Sequence, residues 1–365
     1  MRLADITRSF THPEYPWQVQ LAYSQGGEMA RFIAETYGFE VIRRMLKGYK
    51  QGKDTPQVVR ETLNMSLEEF DRAFGKDLSA LVKTIQLFPM IGDEEVKKLE
   101  AAKPQNPADQ LALARQYLVR GYWSSAERWA RKARRAEDRE VAGEAAALLG
   151  FSLRRQGGEA EAETFFKEAV VKRPEHYLGH LGLALHLKGR GDWEAAIAEC
   201  RAARRCYPNA VEGENSPYLI EADCCFSSGK VEEGIQVLKL LCGRNRSDMP
   251  PRLKLAGALK DQGRPEEALG VLDTALLAEV YDLGVHRMRA EILKALKRPS
   301  EAAKALGLGS HAAPKDAAAA TEAAEAWVEA GDPAEAKRFW SRAKALKPED
   351  PRVKALGEKL GGPPP

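Results

Sequence analysis

The chain has 365 residues, of which 44% are hydrophobic, 30% charged and 7% aromatic, with a formal charge of +3 from 56 basic and 53 acidic side chains. That length exceeds one ordinary core and predicts several domains or a repeat array, while the near-balance of charge excludes a net field that would select nucleic acid or a membrane surface. No apolar run reaches the roughly 18–20 residues of a bilayer span, and Met1 is followed by Arg2, Asp5 and Arg8 rather than a signal-peptide core, so the expectation is a cytoplasmic protein without membrane insertion.

In chain order, apolar residues recur at Val19, Tyr23, Met29, Phe32, Ile33 and Tyr37, which predicts a helix from Trp17 to Tyr37 stopped by Gly38. Thr55 and Pro56 read as an N-cap and first helical residue. Ser66 with Glu69 reads as a capping box, flanked by Met65 and Phe70 as a hydrophobic staple. The stretch from Ala22 to Phe74, through Tyr23, Phe32, Tyr37, Gly38, Gly52, Ser66, Glu69, Phe70, Asp71 and Phe74, resembles the C-terminal helical part of the gluzincin, or peptidase-MA-like, zinc metallopeptidases. In that family two histidines of HExxH and a later glutamate hold zinc, and the HExxH glutamate activates water. Those signatures belong upstream of these helices, where this sequence offers only His12, followed at once by Pro13. The expectation is therefore a helical remnant over residues 1–85 whose catalytic half is lost or encoded upstream, with no catalytic residue, metal or cofactor, and with Glu14 and Glu28 as solvated side chains.

A linker is expected over residues 86–106, around "FPMIGDEEVKKLEAAKPQNP". Beyond it a fixed period emerges. Small residues at Ala126, Ala162, Ala196, Gly234, Ala268, Ala302 and Ala336 are separated by 36, 34, 38, 34, 34 and 34 residues. Twelve residues before each stand Ala114, Gly150, Ala184, Ala222, Ala256, Ala290 and Ala324, all small enough for two helices to cross closely. Gly121, Gly157, Gly191, Gly229, Gly263 and Gly331 lie five residues before the second-helix column, where a left-handed residue can end a helix; the sixth repeat has Lys297 there. Seven residues after it come Ala133, Ala169, Ala203, Leu241, Ala275 and Ala343, with Pro174, Pro208 and Pro348 as stops. Residues 107–349 thus resemble the tetratricopeptide repeat family in seven copies. The resemblance implies an all-α, right-handed superhelix (an α-solenoid of about seven helix–turn–helix repeats) whose concave face is made from the first helices. In repeat six the stretch "GLGSHAAPKD" predicts a second helix ending early, near Leu306, and "EDPRVKALGEKL" predicts a terminal helix within residues 350–365, followed by a disordered Pro-rich tail.

Candidate sites within the array are few. Cys200, Cys206, Cys224, Cys225 and Cys242 form no CxxC pair and read as reduced structural thiols. His176 and His180 stand four apart and His186 six further on, without a third ligand in register, so no metal site is expected. "GRGDWEAA" is a repeat turn rather than a phosphate loop. The remaining candidate is the concave groove, with Arg115, Phe151, Arg154, Arg155, Lys188, Phe226, Lys260 and Arg287 as its peptide-binding residues. Cations beside Phe and Leu suit an acidic protein or peptide partner, the charges giving orientation and the apolar groups affinity. Asp223, Glu291 and Glu325 weaken that field toward the end, and no basic run with interleaved aromatics supports nucleic acid. The expected function is a non-catalytic scaffold. The alternative is the C-terminal part of a zinc peptidase encoded further upstream.

Overall fold

The computed structural model describes residues 8–14, 18–84, 90–211, 213–245 and 248–361, and among these every regular element is helical. Trp17 and the last four residues of the Pro-rich tail lie outside the described residues. The chain divides into two compact units, residues 1–87 and 88–365.

The first unit holds α1 (Gln18–Tyr37), α2 (Phe39–Lys50), α3 (Thr55–Leu63) and α4 (Leu67–Thr84). Gly38, at φ 88°, separates α1 from α2 in a backbone region that only glycine enters cheaply. The N-cap of α3 is Asp54, not Thr55: its side chain accepts from Gln57 N while the Gln57 side chain accepts from Asp54 N, and Thr55 and Pro56 fill the first turn. The Ser66–Glu69 box forms as expected, with bonds of 2.7 and 3.2 Å. Phe32 lies 5.9 Å from Phe70 and 5.8 Å from Phe74, ring to ring, in a core shared with Met29, Val41, Met45 and Val59. Arg31 closes one side of this core, bonding Glu28, Glu35 and Asp77 at 2.6–2.7 Å.

In the second unit, α5 (Asp93–Ala101) precedes seven antiparallel pairs: α6 (Pro107–Val119) with α7 (Trp123–Ala133), α8 (Arg139–Arg155) with α9 (Glu159–Lys172), α10 (Tyr177–Arg190) with α11 (Trp193–Cys206), α12 (Pro217–Ser227) with α13 (Val231–Arg244), α14 (Met249–Asp261) with α15 (Pro265–Ala278), α16 (Leu283–Ala295) with α17 (Pro299–Ala312), and α18 (Ala317–Glu329) with α19 (Pro333–Leu346). The segment expected to be a linker thus contains α5, whose Val96 is buried with Leu111, Leu113 and Trp129; it packs as part of the array core because it carries its own apolar stripe. The alanines of both crossing columns are buried, as are the glycines. At Gly150 and Gly182 a Cβ would stand 2.6 and 2.2 Å from the Phe166 ring, so two first helices leave one notch for a single aromatic side chain. The turn glycines sit at φ 71–87°, and Lys297 adopts the same left-handed conformation at φ 57°.

Helix α17 does not end near Leu306 but runs to Ala312. Gly307 and Gly309 read as breakers in sequence, yet both are buried: a Cβ would meet Phe339 at 3.1 Å and His286 at 2.9 Å respectively, so the absent side chains let neighbouring helices close in. The last repeat is covered by α20 (Pro351–Lys359), with Val353 and Leu356 buried and Trp340 Nε1 donating to Val353 O at 2.8 Å.

In five of the seven repeats a side chain sixteen residues before the second-helix small residue reaches back to a preceding carbonyl, while Ala146 and Ala320 hold that position in repeats two and seven. In those five, Gln110 bonds Pro104 O, His180 Nε2 bonds Pro174 O, the Tyr218 hydroxyl donates to Pro208 O, Arg252 donates to Cys242 O, and His286 Nε2 bonds Val280 O, at 2.7–3.0 Å. These chemically different side chains serve one need, because carbonyls in the last turn of a helix or just past its end have no intrahelical donor.

Candidate protein-interaction surface

The first helices carry the groove residues, and the structure shows what each one touches. Arg115 makes a two-pronged bond to buried Glu144, at 2.5 and 2.6 Å, across to the next repeat. Lys188 Nζ lies 2.5 Å from Asp223 Oδ2, and Lys254 takes the other oxygen. Burial works to raise the Asp223 carboxyl, but the two ammonium groups outweigh it and hold the group below its usual range. Lys260 bonds Glu291 at 2.6 Å, and Arg287 bonds Glu322 at 2.7 and 3.1 Å. Asp223 and Glu291, which in sequence only dilute the positive field, are therefore the cations' partners, and Glu325 pairs with Arg352.

Arg154 and Arg155 are engaged differently. Arg154 Nε is 3.5 Å from Glu159 Oε1, is buried, and has no hydrogen-bond acceptor among the described residues. Arg155 is exposed and lies over the Trp123 ring at 5.6 Å. The two aromatic candidates face inward. Phe151 packs edge-on against Phe166 at 5.0 Å, and Phe226 presses on Gly234, where a Cβ would stand 2.7 Å away. Both are half-buried and tied into the core, because the small residues beside them leave notches that a ring fills. What the sequence reading missed was the pairing: in sequence Asp223 and Glu291 read as dilution, and Glu144 and Glu322 are passed over. The signal was present as carboxylates 29, 35, 31 and 35 residues beyond Arg115, Lys188, Lys260 and Arg287, close to one repeat on.

The histidines are packing and fastening groups. His176 is buried, which pushes its imidazole down to about 4. His186 Nε2 faces Glu163 at 3.1 Å, and among the described residues no group of three His, Cys, Asp or Glu side chains could hold a metal ion. The cysteines are free thiols, and burial pushes Cys225 and Cys242 up to about 11. No described helix is long and apolar enough to cross a membrane.

Comparison with known proteins agrees with this geometry. The family model for the tetratricopeptide repeat matches residues 293–360. The C-terminal part of a TPR repeat-containing protein from Cytophaga hutchinsonii superposes with a TM-score of 0.54 at 13% identity, covering 67% of this chain and 98% of that one. The array has the tetratricopeptide-repeat fold. A tetratricopeptide repeat protein from Parabacteroides merdae aligns over 71% of this chain and 100% of its own at 15% identity and a TM-score of 0.43. YrrB, described as a TPR protein with an unusual peptide-binding site, aligns over 53% and 97% at 16% identity and a TM-score of 0.39. No curated protein matches the chain.

Proposed function

We propose that the protein is a non-catalytic scaffold that binds a partner protein or peptide along the first-helix face of its tetratricopeptide array. Stacked repeats make an extended preformed surface, and a surface ordered before binding loses less entropy when a partner docks. The observation that carries this reading to a specific place is the Arg154 and Arg155 pair. Their neighbours along the row are hydrogen-bonded to carboxylates, whereas Arg154 meets Glu159 only as a 3.5 Å ion pair, without a hydrogen bond from its buried Nε among the described residues, and Arg155 is exposed over the Trp123 ring. A carboxylate on an acidic partner would meet the exposed Arg155 guanidinium through a charge-assisted bond.

The test compares the wild-type chain with Arg154→Glu/Arg155→Glu in affinity capture from source-cell lysate, followed by mass spectrometry. The expected result is loss of the partners retained by wild type, with an unchanged helical circular dichroism signal. An unchanged partner set removes the groove from consideration. The non-catalytic part of the reading fails if metal analysis of the purified chain finds stoichiometric zinc.

A further inference from the structure

A second surface of the array carries charge that its own fold does not use. Thirteen residues before the second-helix small residue, the repeats place Leu113, Leu149, Leu183, Leu255 and Ala323, but repeat four has Glu221 and repeat six Arg289. Glu221 is 1% exposed. It accepts Arg201 Nε at 2.9 Å and a bond from Arg204, both from the preceding second helix, α11. Arg289 makes the same inter-repeat link with the signs exchanged, donating to Asp273 of α15 at 3.0 Å. One interlock at this position therefore needs one cation and one carboxylate.

Around Glu221 there is far more. A cleft of about 530 Å³ between α11 and α13 is lined by Arg201, Arg204, Arg205 and Arg244, with Glu221 as the only lining carboxylate among the described residues. Glu233 adds a second anion, 2.7 Å from Arg201. Among the described residues, four guanidinium groups thus stand beside two carboxylates. Arg204 is fixed over the Tyr218 ring at 4.4 Å and keeps a buried Nε without an acceptor among the described residues. Among the described residues, exposed Arg205 makes no ion pair, and exposed Arg244 reaches only Asn209 Oδ1, at 3.5 Å. Two unmatched cations beside an already basic cleft repel one another unless an anion enters.

We infer that this cleft is a second binding site, which receives the carboxylates of an acidic peptide segment of a partner protein. The planar fork of arginine matches a carboxylate with two parallel bonds. Leu240, 41% exposed at the cleft edge, offers an apolar contact for the stem of a glutamate side chain. Nucleic acid fits less well, because Arg204 already covers the cleft's one aromatic ring and leaves no free face for base stacking.

The test is fluorescence polarisation of a labelled hexaglutamate peptide against the full chain at low salt, with labelled oligo-dT titrated in parallel. Wild type is compared with Arg205→Gln/Arg244→Gln and, as a control for the first-helix groove, Arg154→Glu/Arg155→Glu. The expected result is saturable peptide binding that weakens about tenfold or more in Arg205→Gln/Arg244→Gln, each lost charge-assisted bond being worth that factor, and that persists in the groove variant. Circular dichroism must show both variants folded; should the double variant not fold, Arg205→Gln alone is read by the same criterion. The inference is overturned by absence of saturable binding, by equal binding in Arg205→Gln/Arg244→Gln and wild type, by loss confined to the groove variant, or by tighter binding of oligo-dT than of the peptide.

Discussion

In residues 18–84 the core is a knot of large side chains, with Phe32, Phe70 and Phe74 ring against ring. In residues 107–346 the helix crossings are made by alanine and glycine, and rings such as Phe166 fill the notches between them. The first arrangement is a single cluster in which each ring supports the others. The second is a chain of nearest-neighbour contacts, where each repeat leans on the one before and the one after. The difference bears on function: a cluster closes on itself, whereas a stack leaves two long faces, one lined by first helices and one by second helices, on which charge can be arranged without disturbing the core.

The largest effect that would test this contrast comes from removing one ring in each region. Phe166→Ala should cost about 3–5 kcal/mol, and hydrogen-exchange mass spectrometry should show lost protection over α8 to α10 with residues 18–84 unchanged. Phe70→Ala should do the reverse. Loss spread evenly over both regions in either variant would break the contrast.

A smaller effect separates the two kinds of glycine within the array. Gly182→Ala pushes a methyl into the Phe166 ring and should destabilise by about 1–3 kcal/mol despite alanine's better helix propensity. Gly270→Ala, with open space around its Cβ on α15, should stabilise by up to about 1 kcal/mol. Equal signs for the two in thermal unfolding would mean that the notch does not decide the packing.

The smallest effect is a pH dependence confined to the array. His180 presents Nδ1 to Glu199 Oε2 at 2.6 Å and Nε2 to Pro174 O at 2.7 Å, two acceptors that both ring nitrogens can serve only as imidazolium. Burial and Arg205 work against that charge, but the bonds to Glu199 and Pro174 outweigh them and raise the group above its ordinary value. A raised folded value means that the contribution to stability is fully present below the unfolded value of about 6.5 and is lost as pH rises through the folded value. Buried His176, held down to about 4, works the other way and adds stability as pH rises toward about 6.5, so the effect of His180 is read as a difference: in denaturant unfolding from pH 5 to 8, the stability advantage of wild type over His180→Gln should shrink as pH rises. Parallel profiles would remove His180 as the cause.

Much of the array was legible because repetition writes one structural requirement many times. Any single buried alanine is uninformative, but six alanines and one glycine spaced 34–38 residues apart specify a crossing. The opening unit has no such redundancy, and only its punctuation could be read: the Ser66 box formed, while at α3 the Thr-Pro pair drew attention from Asp54 and Gln57, which make the cap. On the first helices, the helix each charged residue occupies was legible and its engagements were not. Arg115 and Glu144 meet because one repeat stacks on the next, and nothing local to either residue announces it.

The sequence by itself determined the period, the small-residue columns and the left-handed turns, since these follow from backbone sterics within one helix pair. Only the tertiary structure decided which charges cancel and which remain, whether Gly307 and Gly309 break a helix or admit a neighbour, and that Glu221 gathers arginines from the preceding repeat. Those outcomes depend on distances between helices some thirty residues apart in the chain, and coulombic and packing energies are set by such distances rather than by adjacency in sequence.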